Sequence, residues 1–181
     1  MQIEVLELGM LQTNCYILKK NNKCIVIDPG DEFNKIDEHL INPVAVLITH
    51  HHFDHTGALD ELIYKYNLPI YNHKNLSEKT HEFDEFKFDV IHTPGHSEDS
   101  ITYYFKDEEI MFTGDFLFKR TIGRTDLETS DVLAMTNSIE KIKNFPDDIK
   151  IYPGHGDNSN LGYEKVYNDF LNGKLGAYED D

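Results

Sequence analysis

The sequence predicts an α+β fold: a four-layer αββα sandwich of two packed mixed β-sheets with helices outside. Three observations carry that reading. Apolar runs of strand length fall into two groups, each interleaved with segments of helical spacing. Both groups end in loops that bear histidine or aspartate. At 181 residues the chain fits one domain with a sizeable core, so residues 1–181 are expected to form a single unit.

In order along the chain, Ile3 to Leu8 reads as a strand. Cys15–Lys20 and Lys23–Asp28 flank Asn21-Asn22, which reads as a hairpin. Asp28-Pro29-Gly30 supplies turn residues, and a short helix is expected over Phe33–Ile41. Val44–Thr49 is a continuous apolar run, as for a strand covered on both faces. His50–Gly57 follows, and then Ala58–Tyr66 with helical spacing. Pro69-Ile-Tyr is a short strand, whereas residues 73–82 are polar and carry no periodic signal. Phe88–His92 leads into Thr93-Pro-Gly-His96, and Ile101–Phe105 with Glu109–Thr113 forms a hairpin closing on Gly114-Asp115. Residues 116–128 read as a loop carrying Lys119, Arg120 and Arg124. Thr129 or Ser130 is expected to cap a helix on which Val132, Met135, Ile139 and Ile142 share a face. Ile149–Tyr152 is the last strand, followed by Pro153-Gly-His155-Gly156. Leu161–Leu171 reads as helical, and the tail Glu179–Asp181 is expected to fray.

Seventeen Lys plus Arg against 33 Asp plus Glu give a net charge of −16, which repels phosphate backbones and argues against nucleic acid as a partner. The start of the chain lacks the basic and apolar regions of a signal peptide, and no apolar run is long enough to cross a bilayer. Cys15 and Cys24 lie in apolar segments with no disulfide framework around them, so two reduced core thiols and a cytoplasmic location are expected.

The chemistry concentrates in His50-x-His52-x-Asp54-His55, directly after a strand. Four ligand-type side chains within six residues cannot all be buried as ordinary polar groups, because each would need its own partner. A divalent cation removes that problem, since neutral imidazoles and carboxylates are its natural ligands. A solvated histidine-rich loop would explain one such residue. It does not explain His96 in Thr-Pro-Gly-His, Asp115 in Thr-Gly-Asp and His155 in Pro-Gly-His-Gly, each placed after a strand and a glycine.

These motifs, in this order, resemble those of the metallo-β-lactamase superfamily over nearly the whole chain. The resemblance implies that His50, His52 and His96 hold one metal, that Asp54, His55 and His155 hold a second, and that Asp115 bridges. Within the superfamily the sequence is most similar to the glyoxalase II type, the hydroxyacylglutathione hydrolases, in their short bacterial form. Residues Phe116–Leu127 and Gly154–Lys165 carry that likeness. It implies that Arg124 contacts substrate. Longer glyoxalase II enzymes continue into a C-terminal helical domain. This chain carries about one helix after His155, so no separate substrate-binding domain is expected.

Two cations sharing a water lower its pKa enough to supply a bridging hydroxide near neutrality, and they stabilise a developing oxyanion. Asp54 is the expected catalytic residue, orienting that nucleophile. Asp28 reads equally well as a partner holding a ligand histidine or as a turn cap before Pro29. A thiolate, with a conjugate pKa of about 8.5, departs without a dedicated proton donor, and no general acid outside the ligands is apparent. An anionic thioester is therefore the expected small-molecule substrate, with Arg120 and Arg124 as its basic contacts. Zinc is the expected metal, with iron or manganese as alternatives. The sulfur dioxygenases of the same superfamily, which hold a single iron at the positions of His50, His96 and Asp115, give the competing reading. Lactone or ester hydrolysis is a further variant. His51 is expected to face solvent or a second layer of contacts, His92 to be a satisfied structural histidine, and His73 to be unremarkable.

Overall fold

The computed structural model describes residues 1–173, so the tail expected to fray lies outside the described residues. Its first sheet runs in the order β1 (Gln2–Leu8), β2 (Thr13–Lys20), β3 (Lys23–Ile27), β4 (Pro43–Leu47), β5 (Ile70–Tyr71). The first three strands pair antiparallel and the last two add parallel, so the sheet is mixed. The second sheet has the order β13, β12, β9, β8, β7, β6, comprising β6 (Thr80–Phe83), β7 (Phe86–His92), β8 (Ile101–Phe105), β9 (Ile110–Gly114), β12 (Lys150–Pro153) and β13 (Ser159–Asn160). It too is mixed, with β9 and β12 parallel. A two-stranded hairpin of β10 (Leu117–Phe118) and β11 (Thr121–Ile122) stands apart.

Side-chain alternation along the strands builds the layers. Tyr16, Leu18, Ile25, Ile27 and Leu47 face Phe88, Tyr103, Phe105 and Phe112 in the core between the sheets. Their sequence neighbours point the other way. Cys15, Ile17, Cys24, Val26 and Val46 pack beneath Ile36 of α1 (Phe33–His39) and Leu62 of α3 (Leu59–Tyr66). On the far side, Tyr104, Met111 and Ile151 pack beneath Met135, Ile139 and Ile142 of α4 (Val132–Ile142) and Leu161 of α5 (Leu161–Tyr167). The four layers expected from sequence are therefore present. Both cysteines are buried and free. No helix among the described residues is long and apolar enough to cross a membrane.

Several local expectations need correction. The polar stretch 73–82, which carries no assignment from sequence, runs into β6, which pairs with β7 through Thr80↔Asp89 and His81↔Phe88. The presumed loop 116–128 contains the β10–β11 hairpin. Helix α5 ends at Tyr167 rather than Leu171, where Asn168 turns extended. The cap of α4 is neither Thr129 nor Ser130 but Asp131, whose carboxylate accepts from the Ala134 amide at 2.7 Å. Ser130 instead donates to the Leu127 carbonyl. Asp131 also donates its own amide to the Gly95 carbonyl at 2.9 Å, which fixes the loop carrying His96 to the start of α4.

Replacing Asp131 by Ala removes the cap and is expected to cost about 1 kcal/mol in denaturant unfolding, whereas Thr129→Ala leaves stability unchanged. Equal losses in the two variants would restore the cap to the sequence-based position.

Candidate metal centre

Every cluster residue lies just beyond the C-terminal end of a strand. His50 follows β4; His52, Asp54 and His55 lie at and in the single-turn helix α2 (Phe53–Thr56); His96 follows β7, Asp115 follows β9 and His155 follows β12. The two sheets are sewn together at this edge. The Asn14 amide donates to the Gly154 carbonyl at 2.7 Å, and the Asn14 side chain donates to the carbonyls of Pro153 and Gly156 at 3.0 Å. Glycine is required where backbone and ligands crowd. A Cβ on Gly154 would sit 2.2 Å from Asp115 Oδ1 and 2.7 Å from His55 Cε1. A Cβ on Gly114, at φ +50°, would sit 2.4 Å from Thr49 Oγ1.

All seven expected ligand residues are brought together. His50, His52 and His96 form one donor triad, and Asp54, His55 and His155 form another, with donor atoms in each triad within 4.8 Å of one another. Asp115 lies between them. Its Oδ1 is 3.3 Å from His55 Nε2, and its Oδ2 is 3.5 Å from His96 Nε2 and 3.4 Å from His155 Nε2.

The far side of each ring decides which nitrogen faces inward. His55 Nδ1 is 2.9 Å from Asp28 Oδ2, His96 Nδ1 is 3.0 Å from the Arg124 carbonyl, and His155 Nδ1 is 3.1 Å from the Leu11 carbonyl. Those oxygens only accept, so each Nδ1 carries a proton and each Nε2 is the nitrogen that faces the centre, free to offer a lone pair there once the ring is neutral. Thr49 Oγ1 donates to Asp28 Oδ2 at 2.6 Å and so accepts from His50 Nδ1 at 3.1 Å. His52 is reversed and presents Nδ1, which lies 3.0 Å from both His50 Nε2 and His96 Nε2. Asp28 thus contacts a ligand histidine directly, and it accepts the Thr49 amide as well at 2.8 Å.

These donors fit divalent cations. His55 Nε2 and Asp115 Oδ1 are buried with no hydrogen-bond partner, a costly state for two polar atoms unless a cation joins them. Three ring nitrogens held 3.0 Å apart around His52 cannot all be satisfied by the one available proton. Imidazole with carboxylate suits zinc, iron or manganese.

Electrostatics without a cation follow from this crowding. Burial, then the charge on His55, pushes His50 well below the usual imidazole range; burial and His96 lower His52. Burial would lower His55, but the charges on Asp28 and Asp115 override it and raise His55 to about 10. His155 is lowered by burial and raised more by hydrogen bonds with Asp115 and Asp54, reaching about 9. Burial would raise Asp54 and Asp115, yet the hydrogen bond from His155 and the neighbouring His55 hold both well below the usual carboxylate range.

The cluster opens into a cavity of about 760 Å³ lined by His52, Asp54, His96, Asp115 and His155 and, further out, by Leu11, Phe53, Lys74, Glu98, Arg124 and Glu128. Arg124 lines this cavity, but its guanidinium is exposed and bound to Asp126 at 2.6 and 2.8 Å. Arg120 does not line the cavity. It sits at the β10–β11 turn with φ +65°, its amide donating to Glu164. Sequence reading passed over Thr13, whose hydroxyl donates to Asp54 Oδ2 at 2.9 Å. It also passed over the Leu11 and Arg124 carbonyls, which carry no side-chain signal. His51 is partly exposed on the cavity wall, with Nδ1 2.5 Å from Asp99 Oδ2. His92, expected to be satisfied, instead buries Nε2 without a hydrogen-bond partner among the described residues; its ring lies 5.6 Å from that of His73.

The model of the metallo-β-lactamase superfamily matches residues 8–88 and 76–155. The chain belongs to the metallo-β-lactamase superfamily, a family of metal-dependent enzymes, chiefly hydrolases. A probable metallo-hydrolase of Bacillus subtilis, YqgX, is 34% identical over 91% of this chain and 95% of its own length. The hydroxyacylglutathione hydrolase GloC of Haemophilus influenzae is 32% identical over 96% of this chain and 100% of its own. Among solved structures, the B3 metallo-β-lactamase BLEG-1 matches with a TM-score of 0.90, 31% identity and coverage of 94% and 99%. TTHA1623 in a di-iron-bound form matches at 0.86, 32% identity and coverage of 93% and 100%. ETHE1 of Myxococcus xanthus matches at 0.86, 26% identity and coverage of 96% and 85%.

The shifts set a stability profile for the superfamily member prepared without metal. The raised His55 and His155 contribute fully below an unfolded imidazole pKa of about 6.5, and that contribution is lost as pH rises through about 9 to about 10. The depressed His50 and His52 lose theirs as pH falls below about 6.5, and the carboxylates lose theirs in stronger acid. Metal-free protein is therefore most stable near pH 6.5, and its Tm falls toward pH 9. Zinc reverses the alkaline limb, because imidazoles bind metal only when neutral. Thermal unfolding across this range with and without zinc reads both; a metal-free Tm that rises from pH 6.5 to 9 would contradict the assignment.

Proposed function

We infer that this superfamily member is a binuclear metal-dependent hydrolase of the glyoxalase II type, cleaving anionic thioesters of the S-acylglutathione class. The single observation that carries this reading is a second complete donor triad, Asp54, His55 and His155, beside the first. A mononuclear centre on His50, His96 and Asp115, as a dioxygenase would use, leaves His55 Nε2 buried, its ring held by Asp28, with no hydrogen bond among the described residues. Likeness to GloC and to a di-iron relative supports the same reading.

Ions held by the two triads would supply Lewis acidity and a water acidified toward neutrality; zinc is proposed, with iron or manganese as alternatives. The protein's own groups do the rest. Asp54 stays ionised throughout the neutral range, and the Thr13 hydroxyl fixes its Oδ2, so it can accept a hydrogen bond from an attacking water and orient it. Asp28, through His55, keeps the second triad in register. The cavity admits a small molecule of ordinary cofactor size, and its Arg124 wall is the proposed contact for an anionic substituent, a role not extended to Arg120. Two buried free thiols support a cytoplasmic setting.

Metal-loaded protein assayed on S-lactoylglutathione, and on glutathione persulfide with an oxygen electrode, tests the assignment. Thioester turnover without oxygen uptake is expected; oxygen uptake on the persulfide with one iron per chain would replace it with the dioxygenase reading. Asp54→Asn is expected to lower kcat on the thioester by about a hundredfold or more while the protein remains folded. Turnover within a few-fold of wild type would remove Asp54 from the chemistry.

A further inference from the structure

The cavity wall holds two cations, Arg124 and Lys74. They differ in availability. The Arg124 guanidinium is already neutralised by both oxygens of Asp126. Lys74 has no carboxylate within ion-pair distance among the described residues, although Glu98, Asp99 and Glu128 line the same cavity. Asp99 is spent on His51 and Ser97. In a chain of net charge −16, where most lysines pair with acids, a lysine that lines an acidic cavity and has no ion pair among the described residues stands out.

The turn that carries Lys74 is also built. Asn72 Oδ1 accepts the Lys74 amide at 2.9 Å, and Asn75 Oδ1 accepts the Asn72 amide at 2.9 Å. Asn75 Nδ2 donates to the Ile70 carbonyl at the start of β5 at 2.8 Å. Asn72 Nδ2 donates to His51 Nε2 at 3.2 Å, and His51 is in turn held by Asp99, so the turn is clipped to the cavity wall beside the metal ligands. Such bonds fix backbone position in a segment that lacks apolar periodicity, and so they fix the point on the cavity wall from which the Lys74 side chain extends.

We propose that Lys74, in addition to the Arg124 wall, recognises a carboxylate of the substrate and so helps select anionic over neutral thioesters. This rests on the thioesterase reading and deepens it. The ammonium makes one charge-assisted contact with a group remote from the scissile carbonyl. Such a contact forms equally in the ground and transition states and acts on KM rather than kcat.

The test compares wild type, Lys74→Ala, Lys74→Arg, and Lys87→Ala as a control for net charge, all metal-loaded. Substrates are S-lactoylglutathione and the S-lactoyl thioester of N-acetylcysteamine, which has the same acyl group and no carboxylate. S-methylglutathione binding is measured alongside by calorimetry. Lys74→Ala is expected to raise KM for S-lactoylglutathione about tenfold with kcat unchanged, to weaken S-methylglutathione by a similar factor, and to leave the neutral thioester unaffected. Lys74→Arg restores KM to within about threefold, and Lys87→Ala changes nothing. Unchanged KM and unchanged S-methylglutathione binding in Lys74→Ala would overturn the proposal, as would an equal rise in KM for both substrates. Wild type that turns over neither thioester defeats the thioesterase reading. S-methylglutathione binding then still judges Lys74: its loss in Lys74→Ala supports the anchor and its retention overturns it.

Discussion

Hydrogen bonds on the outer side of the ligand imidazoles are the constraint on which the rest of the site depends. A ring can offer one lone pair inward only if its other nitrogen has lost the choice of facing in. The carbonyls of Leu11 and Arg124 and the carboxylate of Asp28 remove that choice for His155, His96 and His55. Asp28 carries the largest share, since it also accepts the amide and hydroxyl of Thr49, the residue next to His50. It does so from a left-handed backbone at φ +50°, a conformation worth roughly 1–3 kcal/mol of strain that its three bonds offset.

The sandwich exists in a form that makes those outer bonds possible. Its parallel pairs, β3 with β4 and β9 with β12, end at the same edge, so turns from both sheets meet there. Contacts between the Asn14 side chain and the 153–156 turn then hold one triad at a fixed distance from the other. Burial is what gives the cluster its chemical tension. Carboxylates stay ionised and two histidines stay protonated only because they face each other, and a cation would replace that mutual compensation with ligand bonds.

Much of this was legible in the sequence, and the reason is physical. His50, His52, Asp54, His55, His96, Asp115 and His155 are legible as candidates because a cation site would need particular side chains, and Gly154 marks where backbone approaches two of them. The long strands were readable from alternating or continuous apolar runs. Thr13 and the Leu11 and Arg124 carbonyls were not, because their role comes from position alone. Two-residue strands such as β10, β11 and β13 contain too little pattern to register, and β6 is a polar edge strand defined by its partner β7. Arg124 stood out by place in the chain; that Asp126 occupies its guanidinium, and that an asparagine-rich turn brings Lys74 to the same cavity, required the fold.

The central claim is that both triads hold a cation. Elemental analysis of protein loaded with zinc and dialysed free of excess metal measures it most directly. The account predicts about two ions per chain in wild type and about one in His55→Ala, which keeps the triad of His50, His52 and His96 intact. About one ion per chain in wild type, unchanged by His55→Ala, would contradict it.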